Sequence, residues 1–143
     1  MAYMCMECYE IYDGQMQMCP KANCAGEIVE IDELMIPTIK MLNEKGYMTE
    51  FCCSGHAYGN GCNTYVCLSS LITEVLDNED YGKIKQMLPS SWEIEIDNYG
   101  RINFNHMIKK DFKNQFDVET YEDILDANLD FLHFVQQLPE LEY

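Results

Sequence analysis

Four cysteines near the amino terminus have the spacing of metal ligands. Cys5 and Cys8 are separated by two residues, and Cys19 and Cys24, with four residues between them, follow after ten more. Two close pairs on two turns can bring four thiolates into a tetrahedron about 2.3 Å from a zinc ion. Because so short a segment buries little apolar surface, the ion would supply much of its folding energy. The pattern predicts a structural zinc site with a closed coordination shell.

A second concentration of reactive residues lies in the segment FCCSGHAYGNGC. Cys53, His56 and Cys62 offer three further metal ligands, although their spacing is irregular. Alternatively, Cys53 and His56 could form a thiolate–imidazolium pair. Ser54, Gly55 and His56 could instead turn a hydroxyl and backbone N–H groups toward an anionic ligand. A plain hairpin loop with buried thiols is the fourth interpretation, and the sequence leaves all four open.

The elements around these residues predict an α+β fold. Residues 1–30 resemble a zinc ribbon, in which two cysteine turns grip one ion, and residues 31–143 form a second domain. Hydrophobic periodicity in that domain predicts the order α-β-β-α-β-β-α with an antiparallel sheet. The predicted strands are 47–53, 64–69, 92–97 and 101–107. The predicted helices are 33–45, capped by Asp32, then 70–78 and 81–88 with an interruption at 78–80, and a last helix from Asp117 to about Leu138.

Periodicity also predicts which side chains face the core. The positions on the inner faces of the first helix and of the strands are Leu34, Met35, Ile39, Leu42, Tyr47, Thr49, Phe51, Cys53, Trp92, Ile94, Ile96, Ile102 and Phe104. The inner stripe of the last helix is Tyr121, Leu125, Leu129, Leu132 and Val135. His106 is in phase with Phe104, and we interpret it either as a packed histidine or as a ligand-binding residue near the Ser54 loop.

Charge restricts the partners of this protein. The 143 residues include 25 acids and 9 bases, a net charge of −16, and residues 111–143 carry nine acids and one base. Such a surface repels nucleic-acid backbones and anionic membranes. We therefore expect a protein partner with a basic surface, or an anionic small molecule. No apolar run approaches the ~20 residues of a membrane span, and no signal peptide is visible, which predicts a cytoplasmic protein.

Two resemblances centre on the residues from Gly46 to Leu68, and the first of them covers roughly residues 3–70. The segment GYMTEFCCSGH followed by TYVCL resembles uncharacterised phage, prophage and Gram-positive bacterial proteins that share a GYxTxxCCSGH motif, often after a zinc ribbon. More remotely, Tyr47-x-Thr49 with Cys53-Ser54-Gly55 is similar to a segment of the wybutosine-synthesis methyltransferase family, which binds S-adenosylmethionine and a tRNA base. That similarity implies a related fold and a ligand pocket at this loop. His56 stands where that family has arginine.

Together these features predict a zinc-stabilised, acidic, intracellular accessory protein. The first resemblance implies phage or prophage origin, in which case the protein acts in the host cytoplasm on a host protein, for example in host defence, or binds a small ligand. The alternative is a nucleotide-type ligand-binding enzyme with its pocket at Ser54, Gly55 and His56. A non-enzymatic protein is the interpretation that we favour.

Overall fold

The computed structural model describes residues 2–109, 112–113 and 115–142. Within these ranges the chain forms two antiparallel sheets, one of three strands and one of four. The strands are β1 (Ala2–Cys5), β2 (Ile11–Tyr12), β3 (Ile28–Ile31), β4 (Thr49–Cys53), β5 (Thr64–Leu68), β6 (Glu93–Ile96) and β7 (Ile102–His106). The helices are α1 (Ile36–Glu44), α2 (Leu71–Val75), α3 (Asn78–Met87) and α4 (Val118–Gln137). The predicted mixture of helices and antiparallel sheet, with a cysteine cluster near the amino terminus, is confirmed.

The order of the strands determines which loops meet. The small sheet has the order β2-β1-β3 and the large sheet the order β4-β5-β7-β6. Cys53 in β4 lies opposite Tyr65 in β5, and Thr64 lies opposite His106 in β7. The loop that follows Cys53 therefore begins at the same end of the large sheet as His106.

The start of the first helix differs from the prediction. A 3₁₀ turn, Glu33–Met35, precedes α1, and Pro37 lies in the first turn of α1. The predicted capping role of Asp32 is wrong, because its carboxylate instead accepts hydrogen bonds from the backbone N–H and the hydroxyl of Ser54, at 2.8 and 3.2 Å. Leu34, predicted to face the core, lies in the 3₁₀ turn and is 39% exposed.

The longest helix packs one face into the core and is stabilised at both ends. The carboxylate of Asp117 accepts a hydrogen bond from the Thr120 N–H, so the predicted cap is confirmed. At the other end the Lys45 ammonium donates to three carbonyl oxygens, those of Val135, Gln136 and Leu138. A cation there also complements the helix dipole. These contacts join α4 to the end of α1.

The stripe predicted to face inward on α4 is wrong in phase. Tyr121, Leu125 and Leu129 are 39, 37 and 51% exposed, and Leu132 is half-buried. The buried face consists of Thr120, Ile124, Ala127, Asn128, Phe131, Phe134 and Val135. Of the five predicted residues only Val135 is buried. The helix has two apolar faces, and the one with the large phenylalanines fills the core.

Two strand predictions also fail in phase. A register shift between Thr49 and Phe51 interrupts the alternation of β4, so Phe51 is 55% exposed. Its ring lies under the Arg101 guanidinium, with 5.4 Å between the ring centroid and the Arg101 Cζ. Ile96 is 52% exposed because it ends the edge strand β6.

The break between helices α2 and α3 also differs from the prediction. It lies before the predicted residues 78–80, because the Asp77 carboxylate accepts a hydrogen bond from the Asp80 N–H and caps α3.

Candidate metal centres

The small sheet brings the four amino-terminal cysteines together. Cys5 is the last residue of β1, and Cys8 follows in the turn toward β2. Cys19 and Cys24 lie between β2 and β3, in a segment that an isolated antiparallel bridge closes into a hairpin. Each pair of cysteines therefore lies on its own turn, and the pairing of β1 with β2 and β3 places the two turns side by side.

The four sulfur atoms are spaced like the ligands of one tetrahedral ion. The Cys5 Sγ is 3.5 Å from the Cys24 Sγ, and the Cys8 Sγ is 3.7 Å from the Cys19 Sγ. All four atoms lie within 4.8 Å of one another. Sulfur ligands about 2.3 Å from a tetrahedral zinc ion are about 3.8 Å apart. The predicted ligands thus form a possible metal site, with Cys5 and Cys19 buried and the other two half-buried.

The surroundings favour ionisation of some of these thiols and oppose that of others. Burial raises the pKa of Cys5, but hydrogen bonds from the N–H groups of Cys8 and Glu7 prevail and lower it to about 7. For Cys24, the Gly26 N–H favours the thiolate, yet burial and the neighbouring sulfurs raise the pKa to about 12. A divalent cation removes this conflict, because it stabilises all four thiolates at once.

The second turn accommodates its extra residues through left-handed backbone conformations. Asn23 and Ala25 have φ angles of +65° and +54°. The Cys24 N–H donates to the Lys21 carbonyl at 3.1 Å. The four residues between the two cysteines are therefore folded into a compact turn that still delivers both sulfurs to the cluster.

Gly26 and Tyr12 complete this cluster, although the cysteine pattern does not single them out. A Cβ atom on Gly26 would lie 2.5 Å from the Cys5 Sγ, so only glycine allows this approach. The Tyr12 hydroxyl lies 3.1 Å from the Cys19 Sγ and lowers the pKa of that thiol. A glycine two residues after the last cysteine is a signal that could have identified Gly26, whereas Tyr12 depends on the hairpin register.

The loop between β4 and β5 holds a second group of ligand atoms. The Cys53 Sγ is 3.1 Å from the Cys62 Sγ and 3.9 Å from the His56 Nε2, and the three atoms lie within 4.8 Å of one another. The N–H of His56 donates to the carbonyl of Cys62, and the Cys62 N–H donates back to the His56 carbonyl. The structure thus brings together the three residues that the sequence offers as a possible second metal site.

Without a cation, Cys53 is poorly suited to nucleophilic chemistry. Burial, together with the adjacent Cys62 thiol, raises its pKa to about 12. The nucleophile in a thiolate–imidazolium pair needs a lowered thiol pKa instead. This raised pKa therefore gives no support to the interpretation of Cys53 and His56 as a catalytic pair.

Ser54 and Gly55 attach the loop to the rest of the molecule. Ser54 is buried, and its N–H and hydroxyl both donate to Asp32. Its carbonyl accepts from the Thr64 hydroxyl and from the Asn128 amide, each at 3.0 Å. Gly55 has a φ of +97°, and a Cβ there would lie 2.6 Å from the Thr64 hydroxyl oxygen. The ligand-binding role predicted for this loop stays a prediction.

His106 lies between β7 and α4. It is 6% exposed, and its Nδ1 and Nε2 are each 2.8 Å from an oxygen, the Ser91 carbonyl and the Asp123 carboxylate. Both partner atoms are hydrogen-bond acceptors. The His106 ring also lies next to the Trp92 ring, and their centroids are 5.8 Å apart. Its predicted role in a ligand pocket stays a prediction.

The fold and these clusters define a small mixed α/β protein with a possible cysteine-ligated metal site. Comparison of the chain with protein-family models, with curated proteins and with solved structures gave no match. Among the described residues, no helix combines the length and the apolar content of a membrane span. Any function proposed for this chain therefore rests on the geometry of its own residues.

Proposed function

We propose that this protein is a zinc-stabilised accessory protein that binds a partner protein through α4 and catalyses no reaction. The observation that carries this proposal is an apolar stripe on the solvent face of α4. Its members, with their exposed fractions, are Val118 (58%), Tyr121 (39%), Leu125 (37%) and Leu129 (51%). Their spacing of three or four residues, at about 100° per residue, places them on one face of the helix.

This stripe is separate from the face of α4 that fills the core. Phe131 and Phe134 pack on the opposite side, within 5.2 and 5.7 Å of the Phe104 ring centroid. The exposed stripe therefore lies outside the face of α4 that packs against the sheet. Contiguous apolar surface of this kind is typical of a site that binds another macromolecule, and an amphipathic helix commonly lies in an apolar groove of its partner.

Charge indicates the chemistry of the partner. One flank of the stripe carries four exposed acids, Glu119, Glu122, Asp126 and Asp130. A groove edged by lysine or arginine on the side that meets these acids complements this face. A second copy of the same chain is a poor occupant, because an antiparallel two-fold pairing of the stripe brings these acids together and each chain has a net charge of −16.

In this proposal the four amino-terminal cysteines are the ligands of the zinc ion. Four thiolates in tetrahedral arrangement favour zinc over the harder cations. Their position on two turns of a three-stranded sheet supports the assignment of a zinc ribbon. The resemblance to phage and prophage proteins supports a bacterial host protein as the partner, with modulation of host defence as the biological role.

Binding measurements with matched variants test this proposal. The immobilised protein would be exposed to a bacterial host extract, and each retained protein would then be purified and titrated by calorimetry. We expect Leu125→Ser/Leu129→Ser, and separately Glu122→Lys/Asp126→Lys, to weaken binding at least about tenfold. The control Met48→Ser/Ile96→Ser removes exposed apolar side chains outside α4 and should leave binding unchanged.

Two outcomes would contradict the proposal. One is equal affinity of the wild type and the Leu125→Ser/Leu129→Ser variant for the purified partner. The other is a dimer in sedimentation experiments that this variant abolishes, since the stripe would then serve self-association. Asp123 is left intact in all variants because it is hydrogen-bonded to the buried His106.

A further inference from the structure

The loop between β4 and β5 has the geometry of a second metal centre. We propose that Cys53, His56 and Cys62 bind a zinc ion as its three protein ligands, and that its fourth coordination position is open to water or to an external ligand. None of these three residues belongs to the docking surface on α4.

The first part of the loop repeats the local geometry of the amino-terminal site. Cys53 and His56 are three positions apart, as are Cys5 and Cys8. In both segments the N–H two residues after the first cysteine points to its sulfur, and the distance is 3.4 Å both from Gly55 and from Glu7. Hydrogen bonds of this kind stabilise a sulfur in its charged form. Residues 53–56 therefore form a turn suited to hold a metal, with histidine as its second ligand.

The second part of the loop brings the third ligand back toward this turn. Gly59 and Gly61 have φ angles of +60° and +70°, and the Gly61 N–H donates to the Tyr58 carbonyl at 3.0 Å. This tight turn allows the paired hydrogen bonds between His56 and Cys62. The two ligands are thus aligned by the backbone, without any contribution from an ion.

The loop is also attached to its surroundings at several points. The Ser54 carbonyl accepts from Thr64 and Asn128, and the Ala57 carbonyl accepts from the Asp117 N–H at 2.8 Å. Because strand β5 and helix α4 hold the loop on two sides, little ordering remains to be done when an ion binds. Such support of the ligands is a regular feature of metal sites.

The distances fit zinc after small side-chain adjustments. Tetrahedral zinc separates two sulfur ligands by about 3.8 Å and a sulfur from a nitrogen by about 3.6 Å. The observed separations are 3.1 Å between the sulfurs and 3.9 Å from the Cys53 Sγ to the His56 Nε2. The two thiols are free, and their sulfurs lie well beyond the bond length of a disulfide, about 2.05 Å. Thiolate and imidazole donors together favour zinc over magnesium or calcium.

The number of ligands distinguishes this centre from the first one. Among the described histidines, cysteines and acids, the group contains three residues here and four at the amino-terminal site. Zinc with three protein ligands binds water or a substrate in its fourth position. His56 and Cys62 are only half-buried, so the centre lies where solvent can reach it. Two thiolates balance the charge of the ion. Either a neutral water molecule or a small anion can then complete the coordination shell.

Zinc stoichiometry tests whether the second centre exists. We expect about two zinc ions per chain in the wild type and about one in Cys53→Ser/Cys62→Ser, by elemental analysis of the reduced, zinc-saturated protein. His56→Ala should weaken binding of the second ion and leaves every thiol in place. The matched control is Cys52→Ser/Cys67→Ser, which removes one thiol from β4 and one from β5, both outside the two clusters, and should retain two ions.

Cobalt spectra test whether the fourth position is open. The visible absorption of the Co²⁺-loaded wild type, minus that of Co²⁺-loaded Cys53→Ser/Cys62→Ser, reports the second centre alone. We expect azide to shift the bands of this difference spectrum, and to leave the spectrum of the variant itself unchanged, because four thiolates close the first site.

Three results would overturn the proposal. The first is one ion per chain in the zinc-saturated wild type. The second is a disulfide between Cys53 and Cys62 in protein kept under reducing conditions. The third is a difference spectrum that azide does not change, since the centre would then have four fixed ligands. Circular dichroism of each variant verifies that it is folded before its metal content is compared.

Discussion

At the scale of single residues, Asp32 and Gly55 determine how the loop after β4 is held. The Asp32 carboxylate receives both donors of Ser54. Gly55 adopts a φ of +97° and approaches the Thr64 hydroxyl and the Ile124 side chain closely. The sequence shows both residues, yet their roles depend on contacts with residues far away along the chain. Loss of either contact should displace the neighbouring Cys53 and His56, the proposed metal ligands.

Gly55→Ala tests how tightly this loop is packed. Alanine at this positive φ costs about 1–2 kcal/mol, and its Cβ would overlap the Thr64 hydroxyl oxygen at 2.6 Å. Overpacking of a buried site costs a further 1–3 kcal/mol, roughly. We therefore expect the free energy of unfolding to fall by about 3 kcal/mol, measured by urea denaturation of the zinc-saturated protein.

Gly59→Ala is the matched control for this substitution. Gly59 also has a positive φ, +60°, but a Cβ there meets no atom within 4 Å. Its replacement should cost only the backbone term of about 1–2 kcal/mol. Equal losses for the two variants would contradict the packing argument, because Thr64 and Ile124 would then make room without a penalty.

At the scale of secondary structure, α4 shows what a sequence pattern can and cannot predict. Its boundaries were predictable because the cap at Asp117 is a local hydrogen bond. Its orientation was not, because Leu125 and Phe131 belong to two different apolar faces and periodicity alone does not rank them. Likewise, alternation could not reveal the register shift before Phe51, which depends on pairing with β5.

The turn between β6 and β7 is held by one carboxylate. The Asp97 Oδ1 accepts from the N–H groups of Tyr99 and Arg101, at 2.9 and 3.0 Å. Its Oδ2 accepts from the Arg101 Nε and the Asn103 amide, at 3.0 and 2.9 Å. Burial opposes ionisation of this carboxyl, but these hydrogen bonds outweigh it and lower the pKa to about 2.

This lowered pKa predicts a pH-dependent stability difference for Asp97→Asn. The pKa in the unfolded chain is about 3.9, so the contribution of the ionised carboxylate is complete above about pH 5. It is lost as the pH falls through 4 toward 2. We expect the wild type to exceed Asp97→Asn in free energy of unfolding at pH 6, and this difference to shrink progressively on acidification, as followed by urea denaturation.

The other titrating groups do not confound this comparison, because both proteins share them and any loss of bound metal in acid affects both alike. Glu95→Gln, an exposed position on the same hairpin, measures the general effect of removing one negative charge. A difference between wild type and Asp97→Asn that stays constant from pH 6 to pH 3 would show that the carboxylate does not form these hydrogen bonds in solution.

At the scale of the whole molecule, the small sheet and the large sheet share one core. Met4 of β1 is fully buried, in the same hydrophobic cluster as Leu68 of β5 and Phe131 of α4. The division of the chain into two domains near residue 30 stays a prediction. Residues from both sides of that point belong to this one hydrophobic cluster. The local cysteine spacing was enough to predict the first candidate metal site. For the second candidate the sequence left four interpretations open, and it is the turn at Gly59 and Gly61 that places Cys62 beside His56.

Removal of the metal from the first site should therefore destabilise the whole chain. A chelator applied to Cys53→Ser/Cys62→Ser isolates that site, and we expect one unfolding transition, followed by differential scanning calorimetry, with Tm lowered by roughly 10 °C. The same chelator should not affect a variant that also carries Cys5→Ser/Cys8→Ser. Two transitions, of which the upper keeps its Tm, would contradict the shared core, because the small sheet would then unfold alone while the large sheet stayed intact.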